Sequence, residues 1–270
     1  MNFKTRRIIA LIVTAVALAA VWMFAWIEES RLGHSSYFTG FTTLATLFVL
    51  ILLGMRRRLP MWPLGKMASW TQVHLYTGIF ASGVYIMHVP ALVGGGHFEF
   101  ALSMVFWVVA ASGFYGVYVS RTVPKRLTAV GHEHRFDRVD WNRSQIAELA
   151  QSVLEETGKT PAGQVLENFY NDTLRHFFTQ RPSFAYVLIP TGNRRRRLLG
   201  NLKDLDRYLE NDSRVTAGRF AALVRKRDDL DYQFALQLRL RVWLVVHATF
   251  SVVLTAAAVI HAVLALRFTL

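Results

Sequence analysis

Four histidines hold the chemistry that this sequence is equipped to do. His74 and His88 stand 14 residues apart, and so do His247 and His261. Fourteen residues advance an α-helix about 21 Å and carry it through nearly four whole turns, so both members of each pair face one side of their helix. Each pair lies in a tract without Asp, Glu, Lys or Arg, and an ionisable side chain in such a setting is costly and tends to be functional. Two parallel helices equipped in this way present two levels of paired imidazoles, His74 with His247 and His88 with His261. Bis-imidazole ligation is what a low-spin b-type haem needs. For any one of the four, the alternative is a buried histidine that hydrogen-bonds a neighbouring helix; matched spacing and matched depth favour ligation.

The elements that must position these residues are legible in the distribution of charge. Among 270 residues, 53% are hydrophobic and 18% charged, below the quarter or so of charged residues usual in a soluble domain. Five charge-poor runs come close to the ~20 apolar residues that a bilayer demands: about Ile8–Ile27, Tyr37–Met55, Ser69–Val89, Phe98–Ser120 and Val242–Leu266. The first, with its basic start and its alanines at 17, 19 and 20, also admits a cleaved signal peptide, although its apolar run is long for one. The absence of cysteine excludes disulfides, thiolate nucleophiles, iron–sulfur ligation by this chain and covalent haem attachment.

Orientation follows from the short loops. Lys4, Arg6 and Arg7 precede the first run, and Arg56, Arg57, Arg58 and Lys66 separate the second from the third, whereas the stretch 90–97 carries no Asp, Glu, Lys or Arg. The positive-inside rule then places the N-terminus and the long polar segment in the cytoplasm and the C-terminus outside. The expectation is a multi-pass protein of a bacterial inner membrane. In this orientation Arg56, Arg57, Arg58, Lys66, Arg239 and Arg241 gather at the inner face, available to haem propionates.

The polar segment, 121–239, holds 21 Lys and Arg against 15 Asp and Glu. Its periodicity predicts helices over Ser144–Glu156, closed by Gly158, over Ala162–Thr179, over Arg194–Leu209, and from Thr216 without a breaker into the last apolar run. Ser183–Pro190 reads as a strand or an extended segment. No nucleotide-binding glycine motif is present. The run Arg194–Arg197 reads as a solvated or phospholipid-facing patch before a dock for an acidic protein; nucleic acid is not expected as a partner. His132, Glu133 and His134 read as surface, since residues at i and i+2 share a face only in a strand.

Glycines add a partial check. Gly40 and Gly54 are 14 apart in the second run, where a missing side chain lets a porphyrin edge approach the backbone. Gly78 lies in the third run and Gly113 and Gly116 in the fourth, without a partner 14 residues earlier. Small-residue helix packing is the alternative for all of them.

With two histidines 14 apart on each of two helices and a glycine pair 14 apart on another, runs two to five resemble the dihaem four-helix core of the cytochrome b/b6 family. They are also similar to the membrane domain of ferric reductases and NADPH oxidases. The resemblance covers about 37–120 and 242–266. It implies that His74, His88, His247 and His261 are axial ligands of two haem b groups and that Gly40 and Gly54 face them. Cytochrome b lacks an insertion of about 120 residues at this place, and the sixth span and flavin and nicotinamide domains of the reductases do not occur in these 270 residues.

The expected architecture is therefore an all-α integral membrane protein. A transmembrane helix and outer loop (1–36) precede three helices of the haem bundle (37–120), a mostly helical basic cytoplasmic domain (121–239) and a last helix that completes the bundle (240–270). The expected role is electron transfer across the membrane, as a subunit of an oxidoreductase complex. Its expected partners are other subunits, an acidic cytoplasmic redox protein such as a ferredoxin or flavoprotein, a periplasmic cytochrome or iron–sulfur protein, quinone and membrane lipid. Two rivals stand beside it: a subunit that itself oxidises quinol, with Trp62, Trp70 or Tyr76 at the headgroup, and a non-redox membrane receptor.

Overall fold

A computed structural model describes residues 3–58, 65–129, 135–157 and 160–268. The described residues are 89% helical, with no strand among them. The side chains of Arg57 and Arg58 lie outside the described residues, as do Trp62, His132, Glu133, His134 and Gly158.

Ten α-helices follow one another: α1 (Phe3–Ser30), α2 (Ser35–Arg58), α3 (Met67–His88), α4 (His97–Ala129), α5 (Val139–Glu155), α6 (Pro161–Phe169), α7 (Arg175–Thr179), α8 (Phe184–Leu188), α9 (Asn193–Leu205) and α10 (Asn211–Phe268). A π-helical turn, Tyr170–Leu174, joins α6 to α7. Four helices, α1, α2, α4 and α10, are long and apolar enough to cross a membrane. The third apolar run, which forms α3, is not among them. It has the length, at 22 residues, but Gln72, His74, Tyr76, Tyr85 and His88 dilute its hydropathy.

Two compact units form, residues 1–117 with 243–270, and residues 118–242. In the first, α3 packs against α2 and α1. Gly83 lets α1 approach, because a Cβ there would come within 2.6 Å of Leu18. The buried residues Leu47, Tyr85, Phe106 and Leu254 make its core, with the Tyr85 and Phe106 rings stacked 3.7 Å apart. Large apolar side chains such as Ile12, Val16 and Trp22 of α1 and Val245 and Val252 of α10 are exposed, the outward face of helices whose surroundings are as apolar as their own side chains.

The second unit is built like a soluble helical domain. Ile146 and Val153 of α5, Phe177 and Phe178 of α7, Leu198 and Leu202 of α9 and Phe220, Val224 and Leu230 of α10 share one core. Thr160 caps α6, accepting from the Gly163 N–H at 3.1 Å, and Pro161 occupies the first helical position, where its missing N–H costs nothing. The segment expected as a strand or extended is instead a helical turn, α8. Ser183 caps it by accepting from the Tyr186 N–H at 3.3 Å. A lone strand in a helical unit would leave its backbone groups unpaired, so the turn that bonds internally wins.

Charge is buried at the centre of this unit. Arg227 is 1% and Asp231 3% exposed. Asp231 forms ion pairs with both Arg227 and Arg143, the latter at 2.9 Å, and Arg227 also donates to the Gln180 carbonyl at 2.7 Å. Burial pulls the Arg227 guanidinium below its usual range against the opposing pull of Asp231. It pushes the Asp228 carboxyl up, with Arg195 partly offsetting the shift.

The run Arg194–Arg197 is not one solvated patch. Arg194 lies over the Phe177 ring at 4.7 Å, Arg195 bonds Asp229 at 2.8 Å and Arg196 bonds Asn193 at 2.9 Å. Helical geometry turns Arg194 and Arg195 toward the core and leaves Arg196 and Arg197 exposed.

Candidate functional site

All four apolar-tract histidines fall in the first unit, His74 and His88 on α3 and His247 and His261 on α10. The helices bring them together as two pairs. The ring centroids of His74 and His247 are 6.2 Å apart with the planes at 78°, and those of His88 and His261 are 6.4 Å apart at 74°. All four rings are half-buried.

What holds the rings is as informative as their spacing. His74 Nδ1 is 3.1 Å from the Leu50 carbonyl. His247 Nδ1 is 2.7 Å from Ser112 Oγ, and His88 Nδ1 is 3.2 Å from Thr39 Oγ1. A carbonyl only accepts. Ser112 already donates its single proton to the Val109 carbonyl at 2.8 Å, and Thr39 donates to the carbonyl of Ser35 or Ser36, at 3.1 and 3.2 Å. His74 must therefore donate from Nδ1, which makes its Nε2 the nitrogen that carries the lone pair, and His247 and His88 adopt the same tautomer when the Ser112 and Thr39 protons go to the backbone carbonyls. His261 differs: its Nδ1 lies 4.0 Å from Glu99 Oε1, and Phe98 stacks on its ring at 6.3 Å.

This is the donor set a bis-imidazole metal site requires. Metal-ligating histidines commonly donate their second nitrogen to a carbonyl, hydroxyl or carboxylate, which fixes the tautomer and the ring. A metal bound between two imidazoles at about 2.0 Å per bond sets the ring centroids roughly 6.3 Å apart, and both pairs fall at that spacing. Among the described residues, no three or more of His, Cys, Asp and Glu gather as a metal group, so coordination would rest on paired imidazoles with the remaining positions supplied by the ligand itself.

The glycines divide into three kinds. A Cβ on Gly40 would meet His88 Cε1 at 3.0 Å, and one on Gly113 would meet His247 Cε1 at 3.6 Å, so each borders a histidine ring. Gly54 has nothing within 4 Å of that position, and Gly78 meets only Leu50, at 3.9 Å. At Gly116 a side chain would overlap the Trp243 indole, which marks close helix packing. Trp243 in turn stacks beside His247, with centroids 5.8 Å apart, and donates to the Ser112 carbonyl at 2.8 Å.

Of the cations expected near propionates, Arg56 donates to the Gly65 carbonyl at 3.3 Å. Arg241 lies over Phe136 at 4.0 Å, and Arg239 donates to the Leu188 carbonyl; these last two belong to the second unit.

Thr39, Leu50, Glu99 and Ser112 escaped the sequence reading. The signal for two of them was present: Thr39 and Ser112 each immediately precede a glycine that borders a histidine, Gly40 and Gly113. A carbonyl partner such as that of Leu50 leaves no trace in residue type.

A second feature of the first unit is a cavity of about 460 Å³ between α1 and α3, lined by Thr14, Ser69, Gln72, Tyr76 and Phe80 among others. Gln72 accepts from Arg6 at 2.9 Å, and Tyr76 donates to the Arg7 carbonyl at 3.4 Å.

The chain matches no protein-family model, and no curated protein or solved structure shows significant similarity to it.

Proposed function

We propose that the chain is a dihaem b-type cytochrome subunit that carries electrons across a bacterial inner membrane. In this reading α3 is a fifth span, and α2, α3, α4 and the apolar half of α10 form the haem bundle. The observation that carries it is the pair of imidazole pairs, with ring centroids 6.2 and 6.4 Å apart. His74 and His247 would hold one haem and His88 and His261 the other. Bound haem supplies one-electron redox chemistry at a potential set by its ligands and surroundings.

The protein's own contribution is binding, orientation and exclusion of water. The Leu50 carbonyl, Ser112 and Thr39 hold three of the four rings through Nδ1, which would leave Nε2 to bind the iron. Gly40 and Gly113 keep the space beside His88 and His247 clear of a side chain. The surrounding apolar helices keep solvent from the site, so the hydrogen bonds to the rings act at low dielectric, where they weigh most.

Donor and acceptor would be other subunits or soluble carriers: quinone or an acidic redox protein on the cytoplasmic side, a cytochrome or iron–sulfur protein in the periplasm. The excess of basic residues over 121–239 suits an acidic partner, whose encounter rate would fall with ionic strength.

The test is a reduced-minus-oxidised absorption spectrum with a pyridine haemochrome count on the purified chain. Two b haems per chain, reduced to at most one in His88→Ala or His247→Ala, support the proposal. A folded but colourless protein, produced with haem supplied, overturns it and leaves the receptor reading.

One observation favours quinol oxidation by this chain itself. The α1–α3 cavity places the Gln72 amide and the Tyr76 hydroxyl beside apolar Val13, Val73 and Phe80, a mixture suited to a headgroup that needs hydrogen bonds and a flat apolar ring that needs cover. Reduction of the purified chain by a quinol analogue, lost in Gln72→Leu, would support it; no reduction by quinol would return the donor role to another subunit.

A further inference from the structure

The second unit carries an exposed apolar surface that the redox reading leaves unused. Phe184 and Leu188 of α8 are 77% and 54% exposed, and Ile189 beside them is 72% exposed. Phe184 and Leu188 stand at i and i+4, on one face of the turn. Leaving three such side chains in water forgoes the gain that burial of apolar area provides, and a soluble domain seldom clusters them without a partner.

Two bonds to α10 fix where this surface lies. The Tyr186 hydroxyl donates to Asp228 at 3.3 Å, and Arg239 donates to the Leu188 carbonyl. Asp228 and Arg239 are about 16 Å apart along the helix, so the long Tyr186 and Arg239 side chains tie α8 to two points of α10. Val242, three residues further, opens the run 242–266, which contains no Asp, Glu, Lys or Arg and belongs to a helix long and apolar enough to cross a membrane. The Arg239 bond therefore ties Leu188 to α10 three residues before that run begins.

This part of α10 borders an open groove of about 610 Å³ whose walls include Leu127, Phe136, Leu240, Arg241 and Arg135, the last paired with Asp137 of the same wall. Guanidinium and apolar groups side by side suit the phosphate and glycerol region of a lipid. Arg196 and Arg197 are exposed nearby in sequence, as is Arg181, which pairs with Asp140, and each cation at a membrane surface adds attraction to anionic headgroups.

We propose that the 184–189 segment is an interfacial membrane anchor of the polar unit. Phe184, Leu188 and Ile189 insert at the headgroup–acyl boundary of the leaflet that α10 enters, and the flanking guanidinium groups hold anionic phospholipid. The occupant is the bilayer surface, favoured over a protein by the tie of the segment to α10 just before its charge-free run and by the exposed Arg196 and Arg197. This inference is independent of haem.

The chain contains no cysteine, so a single one takes a label cleanly. Phe184→Cys, Ile189→Cys and, as an exposed control in the same unit, Tyr208→Cys (73% exposed) would each carry an environment-sensitive fluorophore. The full chain would be reconstituted in vesicles of phosphatidylcholine alone and of an equimolar mixture with phosphatidylglycerol. The expected result is a blue-shifted emission at 184 and 189 and severalfold stronger quenching by lipid-borne quenchers than at 208, greater in the anionic vesicles. Quenching at 184 and 189 equal to that at 208 overturns the proposal. So does protection from aqueous quenchers without access to lipid-borne ones, because a second copy or another protein would then cover the segment.

Discussion

The two compact units bury polar groups by opposite means. In residues 118–242 the buried charges satisfy one another: Asp231 lies between Arg227 and Arg143, and Arg227 bonds the Gln180 carbonyl. In the unit that holds the four histidines, each pair comes together across a gap from α3 and α10, and the protein engages Nδ1 of three rings with a carbonyl or hydroxyl. An ionic network whose charges pair with one another serves the fold, even with the Arg227 Nε buried without a hydrogen-bond acceptor. Paired imidazoles whose lone pairs are directed away from their anchors have a valence left for a ligand. That difference, rather than burial itself, separates a structural polar cluster from a candidate site.

The comparison breaks most visibly at the histidines. If the pairs are the functional units, His74→Ala combined with His247→Ala should cost no more pigment than either alone, about half of the haem. His74→Ala combined with His88→Ala should remove all of it. Haemochrome counts decide; equal losses in the two double variants would mean that the pairs do not act as units.

Next in size is the ionic network. Asp231→Ala leaves Arg227 and Arg143 buried without their shared carboxylate, and breaking a buried pair in this way costs about 3–5 kcal/mol. Helical signal from the polar unit should melt at markedly lower temperature while the spectrum of any bound haem keeps its band positions. A spectrum that changes with it would erase the distinction between the units.

Smaller effects should follow from the anchors. Ser112→Ala removes the acceptor of His247 Nδ1 and should weaken ligand binding at the His74/His247 pair by roughly 10- to 100-fold, as read by haem loss to an acceptor protein. Ser112→Thr should restore much of it. Thr39→Ala should act likewise at the His88/His261 pair alone.

The smallest effect concerns Asp228, whose carboxyl burial pushes up. Its pKa is then higher folded than unfolded. Its contribution to stability is fully present below the usual carboxylate range and is lost as pH rises through the raised value. Asp228→Asn, which keeps an acceptor for the Tyr186 hydroxyl, should raise the melting temperature of the polar unit near neutral pH, with the gain fading as pH falls below about 4. A gain of equal size at both pH values would assign it to something other than this carboxyl.

Much of the architecture was legible because its signals are local. An apolar run long enough to cross a bilayer and a 14-residue spacing that returns to the same helix face depend on neighbours in the chain. The unbroken α10, Asn211–Phe268, follows from a stretch with no proline and no glycine after Gly218. The strand or extended segment expected at Ser183–Pro190 rested on the strand-like side chains of Tyr186 and Val187, while the helical turn was decided by the Ser183 cap and by the want of any strand to pair with among the described residues.

The sequence by itself determined that the histidines of each helix share a face and lie in apolar tracts, since helical pitch and composition alone dictate both. Which ring stands beside which, at what distance and with which nitrogen engaged, was decided by the tertiary structure. Those facts depend on the approach of α2 and α4 to α3 and α10, through Leu50, Thr39 and Ser112, residues between 24 and 135 positions from the histidines they hold. The Leu50 contact is made by a backbone carbonyl, a group that every residue possesses, so packing had to reveal it.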